Sequence, residues 1–145
     1  MKAPPAGWPR LSVSVFYDDA PAAIDWLCRA FGFELRLKVE GDGGDIVHSE
    51  LMFGEALVMV GSTHGEESYQ KLFKAPRQLG GVMTQASCIF VDDCDAQYAR
   101  AVAAGAGTVR EPTTSDYGDD YWSDRSCGVT DPEGHLWWFM QRMRG

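Results

Sequence analysis

The sequence predicts an α+β domain made of two βαβββ modules, and three observations carry that expectation. A tetrad, Phe16-Tyr17-Asp18-Asp19, recurs 74 positions later (92 − 18 = 74) as Phe90-Val91-Asp92-Asp93. Each copy closes a stretch of strand-like residues and opens a stretch of helical period, which stops at Gly32 in one copy and at Gly105 in the other. Beyond each glycine the period returns to two, in short runs split by turn residues, as in a meander of three strands. Self-similarity at a fixed offset marks a duplicated unit.

Leu11 to Tyr17 reads as a strand, with Leu11, Val13, Val15 and Tyr17 on one face and Ser12, Ser14 and Phe16 on the other. Asp19 caps the helix that follows, Pro21 fits its first turn, Ile24, Leu27, Cys28 and Phe31 form its apolar stripe, and Gly32 supplies the left-handed stop. Strands then run from Phe33 to Glu40, Asp45 to Phe53 and Ala56 to Val60, separated by Gly41-Asp42-Gly43-Gly44 and Gly54-Glu55. Ser62 to Met83 is a polar connector with one helical turn, ending in Gln78-Leu79-Gly80-Gly81. The second unit places a strand at Ala86 to Val91 and a helix at Cys94 to Ala104, built around Tyr98 and Val102. Its remaining strands are Thr108 to Arg110, a stretch near Trp122 to Thr130, and Leu136 to Gln141. The modules thus span about residues 10–61 and 84–143, joined by 62–83, in a single domain. Each helix covers one face of its sheet, so the expected assembly is an open, curled, eight-stranded mixed sheet whose helix-free faces enclose a central cleft.

Composition bounds the partners. With 145 residues, 45% hydrophobic and 23% charged, the chain suits one folded domain with a substantial core. A net charge of −8 opposes sequence-independent binding of nucleic acid or anionic lipid. No apolar run reaches the roughly 20 residues of a membrane span, and Met1-Lys2-Ala3-Pro4-Pro5 lacks the apolar core of a secretory signal, so the expected location is the cytoplasm. Cys28, Cys88, Cys94 and Cys127 contain no C-x-x-C pair and read as reduced thiols.

Several segments carry a family resemblance: Ala30-Phe31-Gly32-Phe33, Ile46-Val47-His48-Ser49-Glu50-Leu51, Arg77-Gln78-Leu79-Gly80, Ala103-Ala104-Gly105-Ala106, Tyr117-Gly118, and Asp131-Pro132-Glu133-Gly134-His135-Leu136-Trp137. In their order and spacing they resemble the vicinal oxygen chelate superfamily, which includes glyoxalase I, bleomycin-resistance proteins and extradiol dioxygenases. The likeness covers nearly the whole chain. It implies paired βαβββ modules, a homodimer, and a cleft for a small organic molecule. Catalytic members hold a divalent metal with residues from the first and last strand of each module, which fall here at Ser12, Met59, Ala86 and Trp138. A thioether, a methyl group and an indole do not make a ligand set for iron or zinc, so no metal or other cofactor is expected. Trp138 is expected to fill part of the vacated site.

Two groups of side chains remain candidates for the cleft. His48 and Glu50 lie two apart on one strand, opposite Val47, Ser49, Leu51 and Phe53, and form a His-carboxylate pair able to move a proton or anchor a cation. Ser12, Ser14, Phe16, Met59, Cys88, Phe90, Trp122, Arg125 and Trp138 are the candidate ligand-binding residues. Asp116, Asp119, Asp120 and Asp124 read as a solvated acidic loop in which Arg125 pairs with one acid; His64 and His135 read as structural or exposed rather than catalytic. The expected function is metal-independent binding of a small molecule, such as a cationic or aromatic antibiotic or metabolite. A metal-independent lyase or isomerase using His48 and Glu50 is the alternative, and a metalloenzyme with ligands drawn from His48, Glu50 and Cys88 is the third reading.

Overall fold

Strand β1 (Val13–Tyr17) leads into helix α1 (Ala20–Phe31), which starts where Asp19 accepts the Ala22 amide at 3.2 Å and stops where Gly32 turns left-handed at φ 83°. Strands β2 (Glu34–Glu40), β3 (Ile46–Phe53) and β4 (Ala56–Ser62) complete the first module. The second repeats it with β5 (Ala86–Phe90), α2 (Cys94–Ala103), β6 (Gly107–Asp116), β7 (Ser123–Thr130) and β8 (Leu136–Arg144). Asp93 caps α2 by accepting the Ala96 amide at 3.0 Å, as its counterpart caps α1. The structure, a computed structural model, describes residues 1–145. No helix is long and apolar enough to cross a membrane.

The strand orders are identical, β1-β4-β3-β2 and β5-β8-β7-β6, with β1 parallel to β4, β5 parallel to β8 and every other pair antiparallel. The duplication read from the tetrad is therefore a duplication of topology. Some expected details change. β6 runs ten residues rather than three, β8 continues to Arg144, and the connector holds two short 3₁₀ turns, Ser68–Leu72 and Pro76–Leu79.

The eight strands form two hydrogen-bonded sheets of four, because the modules meet through their helices rather than along strand edges. One core of 21 buried residues runs through both modules. At its centre the Phe31 ring packs edge-on against Trp137 and Phe139, with centroids 5.5 and 4.9 Å away, while Phe33 meets Trp137 at 5.7 Å. Trp26 Nε1 donates to the Ala104 carbonyl at 2.8 Å and Gln97 Nε2 to the Phe31 carbonyl at 2.9 Å, so each helix satisfies backbone of the other module. Since the helix-bearing faces of both sheets contribute to this one core, the helix-free faces lie on its outer sides.

The turn Asp131–His135 clamps this arrangement. Asp131 accepts the Tyr17 hydroxyl at 2.6 Å and Trp137 Nε1 at 3.0 Å on one oxygen, and the amides of Glu133 and His135, both at 3.1 Å, on the other. Glu133 accepts the amides of Asp18 and Asp19 at 2.7 and 2.9 Å, satisfying backbone donors where β1 becomes α1. His135 Nε2 lies 2.8 Å from the Phe16 carbonyl, which gives it the structural role expected of it.

Candidate functional site

On the outward face of the first sheet, alternation places Ser14 and Phe16 opposite the buried Val15 and Tyr17. Ser14, Phe16, His48 and Met59 line one cavity of about 370 Å³ together with Val47, Val60 and Gly61. The connector folds over it and supplies Tyr69, Leu72 and Phe73. Phe73 stacks on Phe16 with centroids 3.7 Å apart and planes 9° from parallel, and the Tyr69 hydroxyl donates to the Val47 carbonyl at 2.8 Å. These three connector residues escaped the sequence reading; aromatic and aliphatic residues inside an otherwise polar stretch were the available signal. Gly61 leaves room for the ring of Phe16, which a Cβ there would meet at 3.0 Å.

Val47 was expected on the opposite face from His48, and a bulge corrects this. Val39 pairs with His48 and Glu40 with Ile46, so Val47 is the extra residue and the alternation inverts across it. Ile46 consequently enters the core, whereas Val47 joins His48 in the cavity. A second bulge, at Arg36 between the Leu35–Leu51 and Leu37–Glu50 pairs, accompanies the docking of its guanidinium on Glu50.

That contact defines the His48–Glu50 pair. Glu50 is buried, with one oxygen 2.7 Å from Arg36 Nε and Nη2 and the other 3.0 Å from His48 Nε2. Arg36 also donates to the Gly7 carbonyl at 2.9 Å and lies 5.6 Å from the centre of the Trp8 ring. The hydrogen bond with His48, and then the Arg36 guanidinium, outweigh burial and hold the Glu50 carboxyl below its usual 4.5. The resulting stability is complete above that value and is lost as pH falls through the lower folded one. Urea unfolding of wild type from about pH 6 to about pH 3 should show this loss, with a shallower decline in Glu50→Gln.

The second sheet's outward face is built in rows. Cys88, Trp138 and Gly128 are adjacent across β5, β8 and β7; Phe90, Met140 and Ser126 form the next row; Arg142 and Asp124 follow. The Trp138 ring lies across Gly128, where a Cβ would come within 2.6 Å of it, and the Arg110 guanidinium sits 5.3 Å from the ring centre. Arg110 also donates to Ser126 Oγ. Trp122 packs on Phe90 with centroids 5.6 Å apart. Cys88 and Phe90 line a cavity of about 680 Å³ with the β3–β4 turn and Arg142. Burial first, and the Asp124 charge second, push the Cys88 thiol up, away from nucleophilic thiolate character.

Two expectations about this sheet are corrected. Arg125 faces α2 rather than the cleft: it shares a face of β7 with the core residues Cys127 and Val129, and it binds Asp95 at 2.6 and 2.8 Å instead of an acid of the loop. Asp124 is not in a solvated loop. It lies inside β7, fully buried, on the face opposite Arg125. Asp116 does pair at the surface, with Arg144, which lowers its carboxyl to about 2. Ser12 stands just before β1 and lines neither cavity described above.

Within one chain the candidate residues therefore fall into two groups, Ser14, Phe16, His48 and Met59 on one sheet and Cys88, Phe90, Trp122 and Trp138 on the other. His48 and Glu50 meet each other but not Cys88, which lines a different cavity, so these three do not form a metal centre. The positions that hold metal in catalytic relatives do not fit one either. Trp138 is packed on Gly128 and Arg110, Met59 lines an apolar wall, and no three His, Cys, Asp or Glu side chains gather at metal-binding spacing.

Comparison with known proteins agrees with this geometry. TioX from Micromonospora sp. ML1 superposes with a TM-score of 0.67 at 33% identity, over 91% of this chain and 98% of that one. TnmS3 from Streptomyces sp. CB03234, described as an antibiotic binding protein, shares the fold with a TM-score of 0.65 at 17% identity, over 93% and 97% of the two chains. Uncharacterized protein Mb0911c of Mycobacterium bovis is 33% identical over 136 residues, covering 94% of this chain and 85% of its own. The model of the Glyoxalase/Bleomycin resistance protein/Dioxygenase superfamily matches residues 11–139. With nearly its whole length matched, and with the paired βαβββ modules in place, the chain belongs to the Glyoxalase/Bleomycin resistance protein/Dioxygenase superfamily.

Proposed function

We propose that the protein binds a small aromatic organic molecule, an antibiotic or a metabolite of that kind, stoichiometrically and without a metal, in a cleft that two copies of the chain build together. The observation that carries this reading is the outward orientation of two aromatic, helix-free sheet faces. Phe16, Phe73, Tyr69 and Met59 offer one apolar wall, and Phe90, Trp122 and Trp138 offer another. Aromatic walls with few polar groups hold flat ligands by area and stacking. Walls facing away from each other within a chain enclose a ligand when the first sheet of one copy meets the second sheet of its partner, in a closed two-fold pair. The antibiotic binding named for TnmS3, which has the same fold, agrees with this use of the scaffold. Binding is favoured over turnover because Glu50, already neutralised by Arg36, is a weak proton acceptor for the lyase alternative.

Complementation tests the shared cleft. Phe16→Ala and Trp138→Ala should each lower affinity for an aromatic antibiotic, selected by equilibrium dialysis, by about tenfold or more. Mixing the two variants should restore sites of wild-type affinity, because each mixed dimer has one cleft carrying both substitutions and one carrying neither. Light scattering should report a dimer. A monomer, or mixtures that regain no tight sites, would refute the shared cleft, and dialysis against a broad antibiotic panel without uptake would refute the binding role.

A further inference from the structure

Asp124 is the one buried acid whose carboxylate has nothing to hold it. Neither of its oxygens is exposed or hydrogen-bonded. The other buried acids are all satisfied: Asp131 accepts four donors, Glu133 two amides, Glu50 is bound by Arg36 and His48, and Asp45 accepts Gln70 Nε2 at 3.1 Å. A carboxylate taken out of water without a donor lowers stability, and such a group persists where function uses it.

The surroundings say what it awaits. Asp124 alternates with Arg125 and Cys127, which face α2 and the core, so it points to the outward side of the second sheet, the side of Cys88, Phe90 and Trp138. The Phe90–Trp122 ring pair stands on that side, with Trp122 in the loop just before β7, two residues ahead of Asp124. None of the nearby cations holds it. Arg125 holds Asp95, Arg144 holds Asp116, Arg110 is taken by Ser126 and Trp138, and Arg142, across the ladder, makes no ion pair with Asp124. A desolvated anion beside aromatic faces is the arrangement that selects a cation over a neutral isostere, since charge pairing and cation–π attraction both favour it.

We propose that Asp124 is the anchor for a protonated amine or similar N–H cation of the bound molecule, with the Phe90–Trp122 pair as its aromatic wall. This rests on the binding role proposed above and adds the chemical class of the ligand. The cation reaches Asp124 as the exposed Tyr117–Tyr121 part of the loop 117–122 moves aside, leaving Trp122 against Phe90. The loop's residues Tyr117 and Tyr121 are exposed, and its hydrogen bonds run only within itself and to Asp116 and Arg144.

The experiment compares two dyes of nearly the same shape at mildly alkaline pH, 9-aminoacridine, which is cationic, and acridine, which is neutral. Wild type should bind 9-aminoacridine about tenfold or more tightly than acridine. Asp124→Asn should abolish that preference, and it should raise the urea midpoint of the free protein, because an unpaired buried charge is gone. Asp120→Asn, which removes the same charge from the exposed loop, should change neither quantity. A lower midpoint for Asp124→Asn would show that the carboxylate has a partner within the protein and would overturn the proposal. Equal binding of the two dyes, or a preference that survives in Asp124→Asn, would overturn it while leaving the aromatic cleft standing. If neither dye binds, the aromatic cleft fails and the anchor with it.

Discussion

Phe31→Ala should lower stability by about 4 kcal/mol, the range for emptying a large aromatic from a packed core, and both modules should unfold together in one transition. Phe31 ends α1 in the first module, yet its ring touches Trp26 and Phe33 there and Trp137 and Phe139 in the second. The cavity would open at the joint between the sheets, where neither can collapse to fill it without moving the other. Urea denaturation followed by tryptophan fluorescence and by far-ultraviolet circular dichroism checks this. Coincident curves with a shifted midpoint are the expected result, whereas a first module that melts alone would show that the shared core does not couple the halves.

Asp131→Ala should cost a similar amount, about 4 kcal/mol, for a different reason. It leaves the Tyr17 hydroxyl, Trp137 Nε1 and the amides of Glu133 and His135 without their acceptor, and a buried orphan donor costs about 1–3 kcal/mol. Tyr17→Phe removes one member of the network and should destabilise wild type by more than it destabilises Asp131→Ala, a non-additivity that a double-mutant cycle reads directly. Burial, and then the Asp131 charge, push the Tyr17 hydroxyl well above its usual 10, so its contribution is intact below that value and is lost as pH rises beyond it. Equal costs of Tyr17→Phe in both backgrounds would show that the Tyr17–Asp131 bond adds nothing.

The duplication, the Asp19 helix cap and the helix-free placement of Ser14, Phe16 and His48 were all legible in the sequence, because each rests on local chemistry: a repeated tetrad, an aspartate before a helix, a strict alternation. Val47 was not, since its bulge carries no glycine or proline to announce it. Asp124 and Arg125 were misplaced because Asp124-Arg125-Ser126 is polar throughout and hides its own period. Counting back in twos from Cys127 and Val129 gives Arg125 to the core side and Asp124 to the other. The direction in which the modules meet was illegible for a more general reason. An apolar stripe says that a surface is buried, and Phe31 gives no sign that Trp137 and Phe139 are what bury it.

The clamp between Tyr17 and Asp131 joins residues 114 positions apart in a chain of 145. During synthesis, the first module is finished long before its acceptor exists, because β4 ends at Ser62 and Asp131 follows 69 residues later (131 − 62 = 69). Until then Phe31 and Trp26 lack the surface that covers them, and the amides of Asp18 and Asp19 lack Glu133. Contacts of such long sequence separation make folding slow and leave apolar surface open while it waits. The nascent chain is therefore vulnerable to aggregation and proteolysis until Asp131 and Glu133 have been added, and a fragment cut at the connector is a sticky intermediate rather than a half-size domain.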